Sequence, residues 1–396
     1  MNTELLKSKL LEAAFNGSLT HADTSKWKRV KLSNICSFDN GYAFASSDYK
    51  TEGTPLVRIS NIQNNGVNLS DAVYIQGEYP ERFLIHKGDL LIAMSGATTG
   101  KMGVYTTDDK AYLNQRVGKI SIIDENFLLS GYRNYFIRKQ TELILDLAYG
   151  AAQPNISGKQ ILELEIPLPP LPEQERIVSA LEEGFAAIDA IAEAKANLSN
   201  TAEMLRSKIL QAAFDGSLTG ADISKWEHRQ LREISTKIVD GDHNPPKGQK
   251  YPTPHIMLSS QNINENKFVA MNKVRYLSKE DFAMCHKRTN LTKGDVLLTS
   301  VGTVGRSCVH DSDEKYCFQR SVTIITPTIN SYFLKYYFDS PAFQQMLLLG
   351  ATGNAQKGFY LNQLKEVIIP LPPLAEQERI VAKIESLFTE IDKLSK

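Results

Sequence analysis

Two long blocks of this 396-residue sequence each occur twice. Residues 5–27 read LLKSKLLEAAFNGSLTHADTSKW and match residues 204–226 at 16 of 23 positions, with an offset of 199. Residues 166–178 read IPLPPLPEQERIV and match residues 369–381 at 12 of 13 positions, with an offset of 203. Two matches at nearly the same offset do not arise by chance, so the chain contains two copies of one unit of about 200 residues.

Between these blocks the two copies diverge, but short echoes remain. Thr54-Pro55 followed by Asn61-Ile62 resembles Thr253-Pro254 followed by Asn262-Ile263. The segment HKGDLLIAMSGATTGK (86–101) resembles TKGDVLLTSVGTVGR (292–306). Asn114-Gln115-Arg116 resembles Phe318-Gln319-Arg320. In this alignment Arg58 lies opposite Met257. The pattern indicates a common scaffold with different variable parts, as expected of two readers of different targets. A duplicated structural domain that has drifted is the alternative.

The region between the two copies has the pattern of one long helix. Pro172 suits the first helical position, and Glu173 and Glu175 follow in the first turn, where the helix dipole favours negative charge. Gly216 is predicted to end the helix in a left-handed conformation. Apolar residues recur at heptad spacing, which indicates a coiled-coil seam; they include Ile177, Leu181, Ile188, Ile191, Leu198, Leu205 and Ile209.

The second copy begins the same helix, and the start of the chain supplies its missing half. The heptad positions continue through Ile380, Ile384, Leu387 and Ile391, while Leu6 and Leu10 align with Leu205 and Ile209. We therefore expect a second helix that is split between residues 373–396 and 1–15, lies antiparallel to the first and brings the chain ends together. Two independent helical hairpins are the alternative.

Composition is that of an ordinary globular protein, with 42% hydrophobic and 23% charged residues. No apolar run approaches the eighteen or so residues needed to cross a membrane, and charges interrupt the N-terminal segment, which favours an amphipathic helix over a signal peptide. The four cysteines, Cys36, Cys285, Cys308 and Cys317, lack CxxC spacing. They are expected to be reduced thiols in a cytoplasmic protein without a metal site.

Charge is distributed unevenly along a chain whose formal net charge is zero. Residues 28–171 carry 15 basic and 15 acidic side chains, residues 227–371 carry 18 basic and 13 acidic, and residues 172–226 carry 5 basic and 9 acidic. DNA affinity depends largely on phosphate neutralisation. A neutral chain of this kind is therefore expected to bind DNA weakly alone and to need a basic face or a basic partner.

The blocks PLPPLPEQERIV and LLEAAFNGSLT, placed in this way around two variable regions, closely resemble the specificity (S) subunit of type I restriction–modification enzymes. The resemblance covers the whole chain. It implies that each variable region is a target-recognition domain reading one half of a bipartite, asymmetric DNA site. It also implies that the helices form an antiparallel spacer, set the spacing and dock two methyltransferase (M) subunits.

The same resemblance implies a division of labour. The complex would methylate adenine in both half-sites, with S-adenosylmethionine bound by the M subunits and no cofactor in this chain. Addition of restriction/translocase (R) subunits would give restriction, and the S subunit itself would be non-catalytic. The runner-up function is a duplicated scaffold that binds a methyltransferase without reading DNA, and an enzyme comes third.

Together these observations predict an α+β fold. Two globular, mixed α/β target-recognition domains would be separated by an antiparallel pair of long coiled-coil helices, with the pseudo-two-fold symmetry of an internal repeat. The expected segments are residues 20–170 and 217–372 for the two domains, 171–216 for the central helix, and 1–19 and 373–396 for the halves of the split helix.

Three segments approach catalytic motifs without matching them. GATTGK (96–101) has three residues between its glycines and lacks Ser or Thr after Lys101, so a strand-end turn is favoured over a phosphate-binding P-loop. Asn244-Pro245-Pro246-Lys247 has no aromatic residue to stack on a flipped base, and it serves equally as a rigid turn. The adjacency of Cys285 and His286 is interpreted as incidental rather than as a nucleophile–base pair.

Arg and Lys suit guanine, and Asn and Gln suit adenine, in direct readout of DNA. Asn61 and Asn262 recur in both copies and are expected to serve the scaffold more than specificity, whereas Arg58 differs between copies and is the better specificity candidate. Loops rich in these residue types supply the DNA-binding candidates, which are Arg58, Asn61, Gln63, Asn64, Lys101, Gln115 and Arg116 in the first copy and His243, Asn244, Lys247, Gln261, Asn262, Lys267, Arg306, Gln319, Arg320 and Lys357 in the second.

Four apolar helix residues lie outside the seam: Val178, Phe185, Leu210 and Phe214. Two interpretations stay open for them. They face a methyltransferase subunit, or they complete the hydrophobic cores of the recognition domains.

Overall fold

The computed structural model describes residues 2–63, 66–149, 155–350 and 359–394. The chain forms two compact units, Met1–Lys195 and Ala196–Lys396. Helix α5 (Leu171–Phe214) is continuous over 44 residues and contributes to both units. No hairpin turn therefore lies within this segment, as the prediction of one long central helix requires.

Unit 1 contains four helices before α5 and twelve strands among its described residues. The helices are α1 (Thr3–Phe15), α2 (Ser130–Lys139), α3 (Thr141–Tyr149) and α4 (Gly158–Leu162). The strands are β1 (Lys28–Lys31), β2 (Cys36–Asn40), β3 (Thr54–Val57), β4 (Ile62–Gln63), β5 (Gly66–Val67), β6 (Val73–Ile75), β7 (Leu84–Ile85), β8 (Leu90–Ala93), β9 (Met102–Val104), β10 (Ala111–Leu113), β11 (Val117–Ile122) and β12 (Glu165–Leu168).

Unit 2 repeats this order after α5. Its helices are α6 (Lys279–Thr289), α7 (Ser331–Asp339), α8 (Pro341–Gly350), α9 (Leu361–Lys365) and α10 (Leu374–Leu394). Its strands are β13 (Glu227–Gln230), β14 (Ser235–Asp240), β15 (Ile256–Leu258), β16 (Ile263–Asn264), β17 (Lys267–Phe268), β18 (Arg275–Tyr276), β19 (Val296–Thr299), β20 (Ser307–Val309), β21 (Cys317–Phe318), β22 (Val322–Pro327) and β23 (Ile368–Leu371).

The sheets of the two units correspond, except that β7 of unit 1 has no counterpart among the described residues of unit 2. An antiparallel sheet has the order β2-β11-β8-β9 in unit 1 and β14-β22-β19-β20 in unit 2. A second, mixed sheet has the order β6-β3-β10-β7 in unit 1 and β18-β15-β21 in unit 2, where α6 packs on β21. The central strands β8 and β19 are buried at all four positions, as their continuous apolar runs predict. The predicted repeat and mixed α/β content are confirmed.

Each unit contains its own antiparallel helix pair. In unit 1, Lys7 of α1 forms an ion pair of 2.5 Å with Asp189 of α5, and a Cβ on Gly184 would lie 2.4 Å from Leu10. In unit 2, Arg206 of α5 forms an ion pair with Asp392 of α10 and stacks over Phe388. The direction of pairing agrees with the predicted antiparallel helices.

The two strongly repeated sequence blocks contact each other inside each unit. The Thr20 hydroxyl donates to the Glu173 carboxylate, and Arg176 donates to the Thr20 carbonyl at 3.1 Å. The equivalent bonds in unit 2 join Thr219 to Glu376 at 2.5 Å and Arg379 to the Thr219 carbonyl at 2.9 Å. The blocks therefore recur because they form one interface twice.

A buried glutamine in each block ties a long helix to its domain. The Gln174 amide donates to the carbonyls of Phe127 and Pro169 at 2.8 and 2.9 Å, and its oxygen accepts from Leu129 N at 2.9 Å. Gln377 donates to the Pro372 carbonyl at 2.8 Å and accepts from Asn330 N at 3.0 Å. A buried polar group is tolerated when it is bonded in this way, so both glutamines fix the start of a helix.

The end of α5 follows the predicted glycine cap. Gly216 has a φ of +83°, and Leu218 N donates to the Ala212 carbonyl at 2.9 Å, which satisfies a carbonyl that the helix leaves free. A Cβ at this position would lie 2.5 Å from the Ala221 carbonyl oxygen. Glycine is therefore required both by the dihedral and by the close approach.

The predicted seam is buried at some of its positions and exposed at others. Ile177, Leu181, Ile380, Ile384 and Ile391 are buried, and Leu10, Ile188, Ile209 and Leu387 are half-buried. Ile191, Leu198, Leu205 and Leu6 are exposed. The expectation of a continuous seam is wrong at these exposed positions, because they lie at or beyond the last contacts of each helix pair, at Asp189 in unit 1 and Arg206 in unit 2.

The apolar residues outside the seam belong to the cores of the two units. Phe185 is buried and Val178 half-buried in the core of unit 1, and Leu210 is buried in the core of unit 2. The Phe214 ring packs 5.3 Å from those of Phe333 and Tyr337. These contacts favour the interpretation in which the four residues complete the hydrophobic cores of the recognition domains.

Candidate nucleic-acid interface

Three strand ends converge at one edge of unit 1. Strands β3 and β10 are parallel, so the residues that follow them, Arg58 and Asn114, lie at the same edge. Asn114 N donates to the Val57 carbonyl at 3.1 Å. The loop after β8 joins them, because Met94 N donates to the Arg116 carbonyl at 2.9 Å. We call the loops that follow β3, β8 and β10 the first strand-end surface.

Unit 2 forms the same surface after β15, β19 and β21. Strands β15 and β21 are parallel, Gln319 N donates to the Leu258 carbonyl at 2.9 Å, and Ser300 N donates to the Ser321 carbonyl at 3.0 Å. We call this the second strand-end surface. Seven of the candidates flank these strand ends: Arg58, Lys101, Gln115, Arg116, Arg306, Gln319 and Arg320.

These bonds correct the alignment of the two copies by one residue. Asn114 bonds to the last residue of β3 and Gln319 bonds to the last residue of β15, so Asn114 corresponds to Gln319 rather than to Phe318. The match of Gln115-Arg116 with Gln319-Arg320 is wrong. Gln115 therefore corresponds to Arg320, and Arg116 corresponds to Ser321.

Each of these pairs occupies the centre of a four-residue turn. Val117 N donates to the Asn114 carbonyl at 2.9 Å, and Val322 N donates to the Gln319 carbonyl at 3.0 Å. Gln115, Arg116 and Arg320 are exposed, and Ser321 is half-buried. We call Gln115-Arg116 the first turn pair and Arg320-Ser321 the second turn pair.

Asn61 and Asn262 stabilise the scaffold and are not available to contact DNA bases. They are 3% and 1% exposed. Their side-chain oxygens accept from Arg58 N at 2.9 Å and Ser259 N at 3.0 Å, and their amides donate to the carbonyls of Asn68 and Val269. A buried amide with both ends bonded in this way is not available to a base.

Arg58 is half-buried and held at the edge of the first surface. Its guanidinium donates to the Asp71 carbonyl at 3.3 Å and lies 5.8 Å from the centre of the Tyr49 ring. The side chains of Asn61 and Asn262 accept from Arg58 N and Ser259 N, so Arg58 corresponds to Ser259. The alignment of Arg58 with Met257 is therefore wrong. The alignment of Thr54-Pro55 with Thr253-Pro254 fails for the same reason, because β3 begins at Thr54 and β15 begins at Ile256.

Lys101 and Arg306 occupy equivalent positions. Ala93 N donates to the Lys101 carbonyl, and Thr299 N donates to the Arg306 carbonyl, both at 2.9 Å. GATTGK lies between the antiparallel strands β8 and β9, not between a strand and a helix, so it is the predicted turn and not a P-loop. Both side chains are exposed, and the Arg306 guanidinium lies 3.5 Å from the Ile263 carbonyl.

The segment 240–247 leads away from the second strand-end surface. Arg320 N donates to the Asp242 carbonyl at 2.9 Å, which places the exposed side chains of His243 and Asn244 next in the chain. Arg275 donates to the Pro246 carbonyl at 2.8 Å. The predicted turn is thus a bend at His243-Asn244, the two prolines follow it in an irregular segment held by Arg275, and Lys247 comes next as an exposed residue.

A short hairpin in each unit carries Gln63 and Lys267, and Gln261 precedes the hairpin of the second unit. Gln63 ends β4 and Lys267 begins β17, and both are exposed. Glu265 and Asn266 between β16 and β17 have positive φ angles of 47° and 57°, as a two-residue hairpin turn requires. Gln261 is exposed and donates to the Lys273 carbonyl at 3.1 Å. Asn64 and Lys357 lie outside the described residues.

A family model for the type I restriction modification DNA specificity domain matches this chain twice, over residues 24–200 and 223–396. The chain belongs to this family. Each match covers one of the two strand-end surfaces, so unit 1 carries the first specificity domain and unit 2 carries the second. The chain is a specificity subunit, and its function is recognition of a DNA sequence.

Relatives and solved structures agree with this membership. The chain is 27% identical to the type I restriction enzyme EcoBI specificity subunit of Escherichia coli, over all of this chain and 86% of that one. It is 24% identical to the EcoKI specificity subunit of Escherichia coli strain K12, over 93% and 84% of the two chains.

Two solved structures share the fold at 20% identity. One belongs to a study of complex assembly and conformational transition of the type I R-M system, with a TM-score of 0.68 over 93% of this chain and 92% of that one. The other is the HsdS subunit from Thermoanaerobacter tengcongensis, with a TM-score of 0.57 over 93% and 90%.

The cysteines of the specificity domains are held as thiols. Burial raises the pKa of Cys36 and Cys308 to about 11 and that of Cys285 and Cys317 to about 12. The Cys285 thiol lies 3.3 Å from an Asp242 carboxylate oxygen, which disfavours its thiolate, and reactivity requires the thiolate. Cys285 and His286 therefore do not form an activated pair.

The described part of the chain contains no helix long and apolar enough to cross a membrane. It also places no three or more His, Cys, Asp or Glu residues as a group that could hold a metal ion.

One residue of the first specificity domain was missed by sequence reasoning. Tyr42 is 42% exposed, and its ring packs against Phe44 and Phe83. Gln115 N donates to the Tyr42 carbonyl at 3.0 Å, so this tyrosine lies beside the first turn pair. In the sequence, Asn40-Gly41-Tyr42 matches Asp240-Gly241-Asp242, and this match could have indicated the residue. The β-bridges of Tyr42 with Asn114 and of Asp242 with Gln319 support the match.

Proposed function

We propose that each specificity domain reads one half of a bipartite DNA site through its strand-end surface. One observation carries this proposal: the two domains present the same bonded scaffold under different exposed side chains. Asn61 and Asn262 make equivalent bonds, whereas the turn pairs above them differ. Such a contrast at equivalent exposed positions is what two readers of different DNA sequences require.

We further propose that the chain is non-catalytic and works with two methyltransferase (M) subunits. The same helix interface occurs once in each unit, at Thr20–Glu173 and at Thr219–Glu376, so the chain offers two equivalent docking places. The M subunits would bind S-adenosylmethionine and supply much of the positive charge that this neutral chain lacks. Restriction/translocase (R) subunits would join the same complex in the cytoplasm.

The test is selection of bound DNA by the full chain together with methyltransferase (M) subunits of its own system. Duplexes with randomised bases are incubated with the complex, and the bound fraction is sequenced. We expect a bipartite motif with two different halves and an unspecified spacer, and a complex mass that corresponds to two M subunits.

Other results would replace this proposal. A complex that forms but selects no motif would identify the chain as a scaffold that does not read DNA. Methylation of DNA by this chain alone with S-adenosylmethionine would identify it as an enzyme.

A further inference from the structure

We propose that the two turn pairs determine which bases the domains select, with Arg116 in the first domain and Arg320 in the second each reading a guanine. This inference rests on the proposed function and specifies its chemistry. It assigns base contact to positions that do not correspond in the structure: the arginine is the second member of the first turn pair and the first member of the second.

The backbone of both turn pairs is fixed by the same bonds. Gln115 N donates to the Tyr42 carbonyl at 3.0 Å, and Arg320 N donates to the Asp242 carbonyl at 2.9 Å. The carbonyls of Arg116 and Ser321 accept from Met94 N and Ser300 N at 2.9 and 3.0 Å. Contacts made from a rigid backbone lose less conformational entropy on binding. The domains therefore differ at these sites in side chain and not in framework.

The two arginines are available for a ligand. Both are exposed, and neither guanidinium makes a hydrogen bond or ion pair with a residue that the structure describes. The residue that corresponds to Arg116 behaves differently, because the Ser321 hydroxyl accepts from Ser260 N at 3.1 Å. Arg58 is also less available than Arg116, since it is bonded to the Asp71 carbonyl. Each strand-end turn thus presents one uncommitted guanidinium.

Guanine is the base that such a group recognises. A guanidinium donates two parallel hydrogen bonds, and guanine presents the acceptors O6 and N7 together in the major groove. A phosphate role fits Lys101 and Arg306 better, because those charges recur at equivalent positions whatever the target. The arginines of the turn pairs do not correspond in this way, as expected of groups that distinguish two half-sites.

The experiment uses the full chain with its methyltransferase partner and the same selection from randomised duplexes. Arg116→Ala is expected to reduce discrimination at one guanine of one half-site by about tenfold to a hundredfold, while the other half-site is unchanged. Arg320→Ala should have the converse effect. Arg29→Ala on β1, an exposed arginine outside the strand-end surfaces, is the matched control and should leave both halves unchanged.

An exchange variant adds a positive test. Gln115→Arg combined with Arg116→Ser gives the first domain the turn pair of the second. We expect the guanine preference to move to a neighbouring base position of the same half-site. Thermal unfolding of each variant should match that of the wild type, since exposed side chains of this kind contribute little to stability.

Two results would overturn the assignment, and they are distinguishable. If Arg116→Ala and Arg320→Ala weaken binding equally on all sequences and lower its salt dependence, the arginines contact phosphate. If the wild-type complex selects no bipartite motif at all, the proposed function fails, and the assignment of the turn pairs fails with it.

Discussion

The first specificity domain presents Gln115-Arg116 at the turn after β10, and the second presents Arg320-Ser321 at the turn after β21, on backbones that make the same bonds. The buried amides beneath them, Asn61 and Asn262, are used identically. Comparison of the two domains therefore separates residues that maintain the surface from residues that distinguish targets. Tyr105 and His310 are another pair of different residues at equivalent positions, because their backbone N atoms donate to the carbonyls of Asp89 and Asp295. Both side chains are buried.

Insertion of one heptad into the exposed part of α5 tests whether the two domains read independently, and it has the largest expected effect. Seven residues between Ala194 and Ser199 add about 10 Å of helix, which corresponds to roughly three base pairs. We expect loss of the original site and selection of the same two half-sites with a longer spacer. Sequencing of selected DNA is the measurement, and an unchanged spacer in an active variant would contradict it.

Substitution of the two buried glutamines compares how much each one contributes to the unfolding free energy of its domain. Gln174→Ala leaves Leu129 N and the carbonyls of Phe127 and Pro169 without this partner, and we expect a loss of about 2–4 kcal/mol in unfolding free energy. Gln377→Ala should cost less, because Gln377 bonds to Asn330 N and the Pro372 carbonyl. Denaturant unfolding measures both, with the exposed Gln211→Ala on α5 as control.

Lys101→Ala and Arg306→Ala test the shared part of the two surfaces. If each contacts one phosphate, binding should weaken by a few fold on every sequence, and the slope of log affinity against log salt should fall by about 1. The selected motif should stay the same. A change of base preference in either half-site would move that residue to the specificity group.

Acidification is expected to affect the second domain more than the first, with the smallest effect of the four. Burial lowers the pKa of His310 from its ordinary value of 6.5, against the opposing effects of Asp295, Asp311 and Glu314. Below about pH 6.5 the unfolded state takes up a proton that the folded state resists, so unfolding free energy should fall as pH falls. Hydrogen exchange between pH 7.5 and 5.5 measures this for each domain.

The variant that tests this pH effect is His310→Tyr. It gives the second domain the tyrosine that the first domain has at the equivalent position, Tyr105. It should reduce the pH dependence of the second domain and leave that of the first unchanged. If the pH dependence of the variant equals that of the wild type, His310 is not the responsible group.

Sequence reasoning predicted the features that recur in both copies. It missed the features that depend on the exact alignment of one copy with the other. The long helix, the cap at Gly216 and the turn at GATTGK followed from local chemistry, because each needs only neighbouring residues. The correspondence of Gln115 with Arg320 did not, because the Gln-Arg dipeptide that occurs in both copies suggests a register that is wrong by one residue. Only the bonds between strand ends reveal it. The role of Gln174 was hidden for the same reason, since its partners Phe127 and Leu129 lie more than 40 residues away.

The pairing of the first and last strands has a consequence for synthesis of the chain. Lys28 of β1 pairs with Leu168 of β12, and Glu227 of β13 pairs with Leu371 of β23. Neither domain can close until its last strand has left the ribosome, and such distant pairings form slowly. At about 5–20 residues per second, the first domain has roughly 10–40 s to fold before the second can be completed. Two domains with the same scaffold therefore complete their folding in turn, which limits exchange of strands between them.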